Sequence, residues 1–465
     1  MTKINPYNFV PVQDVAGRTP WGSLHSHERL KEDSYSGYLQ VQIRCLTPLF
    51  IPSRSPKEVQ VEPCDCSGCK KKKEEESSQI KKTYRRFHHN SAGFATIPGT
   101  TLKGCVRTIA EIVGRGCLTL FRPLHYELGA DAQLGGCTKD AGLCPTCSLF
   151  GTIGGEEFHF KGRVQFEDAM MVEGSNVAPV SNVVQVDITL KNLSTPRPGS
   201  HTPFYAQDLA HSPPRVRGRK LYYHHADVTS DAVSTDNHTH ANSRILEWAP
   251  RNAVFQTKLH FTNLSLDELR LLLRCLELDG RPIVQGADGG NYYAQPPLAH
   301  KLGMGKPLGL GSVHLWIVGG RVEQGASRYQ GWENATVTQV TRGWVDHERD
   351  QAPALVDPHL RDLLCVAKSQ QGKIVYPDYQ WFKNGPGTSQ PLRDWGDYEG
   401  SALAGGACGP TLPPEELARR QEMKIKEWLT DVKKFPVSTY LTWIRQNDAQ
   451  ADALREEFRR WKEGQ

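Results

Sequence analysis

The sequence predicts an α+β protein with a ferredoxin-like core, in which two helices pack on one face of a four-stranded antiparallel sheet. The prediction rests on short segments of alternating apolar residues, on two amphipathic helices, and on their order along the chain. That order is strand, helix, strand, strand, helix, strand. The 42 Gly and 30 Pro among 465 residues favour a β-containing protein with long loops over a helical bundle.

The first element is a half-buried strand at 38–46. Apolar and polar residues alternate there, as in a strand with one face in the core. The apolar positions are Leu39, Val41, Ile43 and Cys45. No convincing periodicity follows over 47–96, and loops of that length inside a compact domain are usually functional or disordered.

The first helix is predicted by the stretch Ile-Pro-Gly-Thr-Thr-Leu-Lys-Gly-Cys-Val-Arg at 97–107. Thr100 or Thr101 is suited to cap its first turn. Lys103 and Arg107 are four residues apart and share one face of the helix. A helix start beside two cations attracts phosphate. The alternative is an ordinary amphipathic helix whose charges are solvated.

The remaining core elements follow in chain order. They are a strand at 162–171, a strand at 254–261, a helix opened by the capping box Ser265 to Glu268, a glycine-rich loop at 303–311 and a strand from Val313 to Ile317. In a capping box the Ser and Glu side chains each accept a hydrogen bond from the other residue's backbone N–H. This helix therefore has a well-defined first turn.

The chain is predicted to divide into three parts. These are an N-terminal arm at 1–36, a core at 37–320 with insertions at 47–96, 116–151 and 172–250, and a C-terminal extension at 321–465 that ends in helices. Within the arm, residues 8–12 could add an edge strand or pack on a partner. In the third insertion, cations at 215–220 beside Tyr222 and Tyr223 could contact RNA, and a solvated charged loop is the alternative.

Clustered cysteines in the second insertion predict a structural zinc site. Cys144 and Cys147 have the two-residue spacing that turns two thiolates onto one ion, and Cys137 supplies a third ligand. His125 is the favoured fourth ligand and Cys117 is the alternative. Such an ion would hold together a loop that has few apolar residues.

A second, tighter group lies in the first insertion. Cys64, Cys66 and Cys69 could bind another zinc ion, with His88 or His89 completing the set. The alternative is a disordered loop whose lysines supply affinity for RNA.

Charge and hydropathy limit the class of protein. The net charge of +5 is small for this length, so anion binding must come from local patches. The N-terminus has no apolar run typical of a signal peptide, and no stretch approaches the roughly 18 apolar residues that span a membrane. We therefore expect a cytoplasmic protein without membrane contact, in which cysteines are reduced and available to metals.

Three motifs together resemble the repeat-associated mysterious proteins (RAMPs) of CRISPR systems. They are the Pro-Gly-Thr-Thr-Leu-Lys-Gly stretch, the Cys-x-x-Cys-x-Leu-Phe-Gly segment at 144–151 and the glycine-rich loop before the last core strand. The chain is more narrowly similar to backbone subunits of type III effector complexes, and its large insertions resemble the III-D and III-E-like branches. The resemblance covers about residues 37–320.

The resemblance implies a subunit that binds CRISPR RNA, positions it for pairing with complementary target RNA and assembles with other RAMP subunits. Base pairing rather than the protein would then read the target sequence. The residues implied to contact RNA are Thr100, Thr101, Lys103, Arg107, Gly303, Gly305, Lys306, Gly309 and Gly311, with Arg54 in the first insertion.

The resemblance also makes cleavage of target RNA a candidate activity of this protein. Some relatives cut target RNA with an aspartate in the loop after the first strand, where a carboxylate holds Mg²⁺ near the scissile phosphate. Asp65 is the only aspartate of 47–96, but it lies between two cysteines, unlike the family pattern, and could be an inert loop residue. The alternative function is a stand-alone endoribonuclease that processes guide RNA, with His25 or His27 as general acid or base.

Overall fold

The structure is a computed structural model, and it describes most of the predicted core. The described residues are 3–4, 6–24, 27–53, 58–63, 79–118, 136–153, 158–173, 176–179, 182–191, 193, 218–224, 244–278, 283–285, 291–293, 298–325, 337–355, 357–366, 373–374, 376, 425, 428–429, 432–445, 450, 453–454 and 457. The chain forms two compact units, residues 1–409 and 410–465.

Strands and helices are mixed along the described chain. The strands are β1 Lys3–Ile4, β2 Tyr7–Val10, β3 Tyr35–Cys45, β4 Glu58–Pro63, β5 Gln79–Arg85, β6 Thr96–Ile97, β7 Gly151–Ile153, β8 His159–Lys161, β9 Val164–Phe166, β10 Ala169–Glu173, β11 Asn176–Pro179, β12 Val184–Thr189, β13 Arg219–Tyr222, β14 Arg244–Trp248, β15 Val254–Leu264, β16 Ile283–Gln285, β17 Asn291–Tyr293, β18 His300–Lys301, β19 Ser312–Gln324, β20 Val337–Gln339 and β21 Lys373–Ile374. The helices are α1 Gly99–Val113, α2 Pro145–Phe150, α3 Leu266–Leu276, α4 Arg342–Asp350, α5 Pro358–Leu364 and α6 Val437–Arg445, with 3-10 turns at Trp21–Ser23 and Lys306–Leu308.

The central sheet has the order β11-β10-β15-β3-β19-β18. Its neighbouring strands are antiparallel throughout. β3 lies between β15 and β19 and pairs with both over most of its length. The predicted first, third and last core strands are therefore confirmed, and the mixed helix-and-strand class is confirmed with them.

Helices α1 and α3 pack on one face of this sheet. Leu102, Val106 and Ile109 of α1 are buried in the same core as Leu39 and Ile43 of β3. The spacing of these apolar residues puts them on one side of the helix, so burying them fixes its orientation. The predicted capping box of α3 is present, with both Ser265 and Glu268 hydrogen bonds formed.

Two predicted segments differ in detail. The strand expected at 162–171 is divided into β9 and β10, with Glu167 and Asp168 between them. The loop at 47–96 contains an antiparallel hairpin of β4 and β5, which the sequence pattern does not predict. Alternation in β4 is limited to Val59 and Val61, which is too short a pattern to separate a strand from a loop.

The N-terminal segment is packed rather than extended away from the core. β2 pairs with β13 from Arg219↔Val10 to Tyr222↔Tyr7, so the predicted edge strand forms within the chain. Thr19 also bridges to Leu143 in the cysteine-containing loop.

The C-terminal extension begins with helices that the weak sequence pattern did not predict. Glu277, at the end of α3, pairs with Arg342 (Nη2 to Oε2, 2.6 Å) and Arg349 (Nη1 to Oε2, 2.9 Å) of α4. In the second unit, Trp428, Leu429 and Tyr440 form a small separate core. Much of the two terminal helices predicted there lies outside the described residues.

Candidate nucleic-acid interface and metal centre

A cleft opens between the start of α1, the glycine-rich loop and β13. Its volume is about 570 Å³, which is enough for a nucleotide-sized group. Its polar and aromatic lining includes Thr100, Thr101, Lys220, Tyr222, Lys301 and Lys306, with His88, His224 and His300. The two motifs that the sequence placed about 200 residues apart thus form one site.

The first turn of α1 is capped differently from the prediction. The N-cap is Pro98, which has no capping side chain, so the predicted Thr100 or Thr101 cap is wrong. Instead, the Gly99 N–H donates to Asp168 Oδ1 at 2.7 Å. A Cβ at Gly99 would lie 2.1 Å from the Phe166 carbonyl oxygen, so only glycine fits here. The helix start already carries a carboxylate, and this disfavours phosphate at the same N–H.

The two predicted cations of α1 do not line the cleft. Arg107 donates from Nε to Glu111 Oε1 (2.9 Å) and from Nη1 to the Gly151 oxygen (3.1 Å). Lys103 is half-buried. Burial lowers its pKa, and the nearby charge of Arg107 lowers it further by a smaller amount. The threonines, by contrast, do face the cleft, and Thr100 is exposed.

The glycine-rich loop is held against the segment that follows β3. Gly303, Gly305, Gly309 and Gly311 all have φ between 76° and 92°, a region that favours glycine. The Gly311 N–H donates to the Pro48 oxygen at 2.9 Å. A Cβ at Gly311 would lie 1.8 Å from the Leu302 oxygen. Positive φ at all four positions, with close backbone packing at Gly303 and Gly311, therefore accounts for these glycines without RNA. Lys306 lines the cleft.

Two further lysines join Lys306 in the cleft. Lys220 Nζ lies 3.6 Å from the centroid of the Tyr7 ring and 5.2 Å from that of Tyr222, and burial lowers its pKa to about 8. Lys301 was not singled out by the sequence. Its pKa is lowered well below the usual value by burial, with a smaller contribution from Lys306. In the sequence, its position next to the glycine-rich loop could have identified Lys301 as a cleft residue.

Four cysteines form a compact buried group beyond the other end of α1. The Sγ atoms of Cys117, Cys137, Cys144 and Cys147 all lie within 4.8 Å of one another. Cys117 Sγ is 3.5 Å from Cys147 Sγ and 3.6 Å from Cys137 Sγ. Hydrogen bonding with Cys137 lowers the pKa of Cys117 to about 7, and hydrogen bonds from the other thiols lower that of Cys144. Thiolates are the form that binds a metal.

This group fits a structural zinc ion. Tetrahedral Zn–S bonds of about 2.3 Å place sulfur atoms about 3.8 Å apart, close to the distances seen here. Backbone N–H groups also point to sulfur, from Cys144 to Cys137 Sγ at 3.2 Å and from Cys147 to Cys144 Sγ at 3.5 Å. Cys117, the alternative fourth ligand, is the one the structure brings in, whereas the favoured His125 lies outside the described residues.

Arg219 connects this group to α1. Its Nη1 donates to Glu111 Oε2 at 2.5 Å, and its Nη2 donates to the oxygens of Gly116 and Cys117 at 2.8 and 3.0 Å. Lys220, the next residue of β13, lines the cleft. Two neighbouring residues of one strand therefore contact the cysteine group and the cleft.

Several predicted residues are not placed by the structure. Those outside the described residues are Arg54, Asp65, Cys64, Cys66, Cys69, His25 and His125, together with 215–217 of the predicted cation cluster. The candidate ligand His88 lines the cleft, and His89 Nδ1 lies 3.0 Å from the Phe87 oxygen. His27 Nε2 lies 2.8 Å from the Lys161 oxygen and is not part of the cleft lining.

Comparison with protein families identifies the class. The RAMP superfamily model matches residues 42–314, so the chain belongs to the RAMP superfamily, which confirms the resemblance. No curated protein matched the sequence.

Among solved structures, the crystal structure of Thermofilum pendens Csc2 is 12% identical over 69% of this chain and 82% of that one, with a TM-score of 0.28. A chain of a Type IV-B CRISPR complex is 13% identical over 60% and 90%, also with a TM-score of 0.28. TM-scores this low carry no argument about the fold or function. The assignment to the RAMP superfamily therefore rests on the match to the family model. In the described part of the chain, no helix has the length and apolar character needed to span a membrane.

Proposed function

We propose that this RAMP protein is an RNA-binding subunit of a multisubunit CRISPR effector complex. The observation that carries the proposal is the convergence of three separate segments, the start of α1, the glycine-rich loop and β13, on one cleft that holds lysines and a tyrosine. Lysines neutralise phosphates and aromatic rings stack on bases, so this lining suits a single RNA strand.

In this proposal the protein holds the guide and leaves sequence recognition to base pairing. Lys306 and Lys220 contact phosphates, and Tyr222 offers a ring to a base. Lys103 and Arg107 do not line the cleft, so in this proposal the phosphate contacts come from β13 and the glycine-rich loop. Complementary target RNA and neighbouring RAMP subunits are the further partners.

The finer assignments are part of the same proposal. We infer a ferredoxin-like core, supported by the order β10-β15-β3-β19 with α1 and α3 on one face. We infer a structural zinc ion in the four-cysteine group, supported by its sulfur distances. Assignment to a type III complex rests on the motifs alone.

Expression with the neighbouring genes tests the proposal directly. The assembled complex is purified and its RNA sequenced, with wild type beside Lys306→Gln and, as a control, Lys139→Gln at an exposed site outside the cleft. We expect short guide RNA with wild type and Lys139→Gln, and markedly less with Lys306→Gln. Assembly without RNA in the wild type would refute the proposal.

Cleavage is tested in the same preparation. Target RNA complementary to the guide is added with Mg²⁺, with Asp65→Asn beside wild type. Loss of one cut in Asp65→Asn and in EDTA would support Asp65 as a metal-binding catalytic residue. Guide processing that survives EDTA would instead support the endoribonuclease alternative, because general acid–base cleavage needs no metal.

A further inference from the structure

The sheet has a second face, on the side opposite α1 and α3. Because side chains alternate along a strand, Leu39, Val41 and Ile43 point to the helices while Tyr38 and Gln42 point the other way. The pairing aligns the residues of this face in cross-strand rows. One row is His260, Tyr38 and Arg321, and another is Gln256, Gln42 and Trp316.

Several groups on this face are open to solvent. Lys258 is exposed, and the side chains of His260 and Arg321 are each 45% exposed. Tyr38 and Trp316 are partly exposed. Next to Gln256, Met170 of β10 is also exposed. We call Tyr38, Gln42, Lys258, His260, Trp316 and Arg321 the open sheet face.

The chemistry of the open sheet face fits nucleic acid. Lys258 Nζ lies 5.6 Å from the Tyr38 ring centroid, and the His260 and Tyr38 ring centroids are 6.2 Å apart. Gln42 donates to Gln256 at 3.1 Å, and both amides belong to the cross-strand row that contains Trp316.

Charge on the face also favours an anionic partner. In the described cross-strand rows from Tyr38 to Arg44, none of the residues is Asp or Glu, whereas Lys258 and Arg321 are cations. Two residues of the face are paired with carboxylates, His260 with Glu167 and Arg321 with Glu323.

We propose that the open sheet face binds single-stranded RNA, with bases stacked on Tyr38 and Trp316 and a phosphate near Lys258. Rings on a flat sheet take unpaired bases, whose faces are exposed, and reject duplex, whose bases are already stacked. None of the six residues lines the cleft. The face is therefore a second RNA surface, and it does not depend on guide binding in the cleft.

Photocrosslinking locates the RNA without altering the protein. The purified full chain is irradiated with a short oligouridine that carries thio-uridine, and the crosslinked peptides are identified by mass spectrometry. We expect crosslinks at Tyr38, at 258–260 or at Trp316. We also expect them to persist in the double variant Lys220→Gln and Lys306→Gln, which weakens the cleft. Crosslinks confined to cleft peptides would overturn the proposal.

Affinity measurements supply the second readout. Trp316→Leu is compared with Trp21→Leu, another partly exposed tryptophan, and Lys258→Gln is compared with Lys139→Gln. We expect about tenfold weaker binding for Trp316→Leu, from the stacking lost with one base, and no change for either control. Circular dichroism confirms that each variant is folded. Unchanged RNA affinity in Trp316→Leu and Lys258→Gln, or loss only of co-purification with another subunit, would mean that the face does not bind RNA.

Discussion

The four-cysteine group and the cleft both adjoin α1, one beyond its last residue and the other around its first turn. They differ in how the chain assembles them. Three of the four cysteines lie within eleven residues, and Cys117 lies four residues after the end of α1. The cleft gathers groups from α1, β13 and the residues before β19. A site built mainly from one loop depends on its ligand, whereas a site built from distant strands depends on the whole core.

The largest expected effect tests the metal side of this comparison. Cys144→Ser should remove bound zinc and lower the free energy of unfolding by about 4 kcal/mol or more, because the loop then loses the ion that holds it together. Zinc is measured by mass spectrometry of the purified protein and stability by denaturant unfolding. Cys105→Ser, outside the group, serves as the control. Wild-type protein without stoichiometric zinc would contradict the assignment.

The next effect tests how far the cleft depends on backbone packing. Gly311→Ala should destabilise the protein by about 2–3 kcal/mol, because φ of +76° and a Cβ 1.8 Å from the Leu302 oxygen both oppose alanine. Gly104→Ala is the matched control. Its Cβ meets nothing within 4 Å, and within helix α1 alanine should stabilise by about 0.5–1 kcal/mol. Equal stability of the two variants would show that the loop does not need its glycine.

A smaller effect separates cleft charge from overall charge. Lys306→Gln should weaken RNA binding and reduce the slope of log affinity against log salt by about 0.7, the value for one phosphate contact on a single strand. Titrations by fluorescence anisotropy at several salt concentrations give the slope. Lys139→Gln should leave it unchanged, and an unchanged slope in Lys306→Gln would remove this lysine from the site.

The smallest effect is a dependence on pH. Because burial lowers the pKa of Lys220 to about 8, this lysine loses its charge as pH rises from 7 to 9. RNA affinity should then fall a few-fold, since only the protonated form attracts phosphate. Lys220→Arg should flatten that profile, because arginine stays charged.

The contribution of Lys220 to the free energy of unfolding changes with pH in the opposite direction. Between pH 8 and about 10.5 the unfolded chain binds the extra proton, so this group's contribution to stability increases with pH.

Long, regular patterns in the sequence predicted the first and third core strands and the helix that begins at the capping box. The alternation before Cys45 and the capping box at Ser265 each depend on neighbours in the chain, so local rules suffice. The cysteine spacing predicted three of the four clustered thiols for the same reason. It could not choose between His125 and Cys117, since that choice depends on where the end of α1 meets the loop.

The sequence by itself predicted the first, third and last core strands and helices α1 and α3, and it singled out the motifs that border the cleft and the cysteine group. Only the tertiary structure decided which motif residues share a site. Arg107 turned to Glu111 and Gly151, Asp168 capped α1 in place of a threonine, and Lys220 and Lys301 entered the cleft. Except for the pairing of Arg107 with Glu111, which lie four residues apart on one helix, those outcomes follow from contacts between residues far apart in the chain. Helical or strand periodicity carries no information about such contacts.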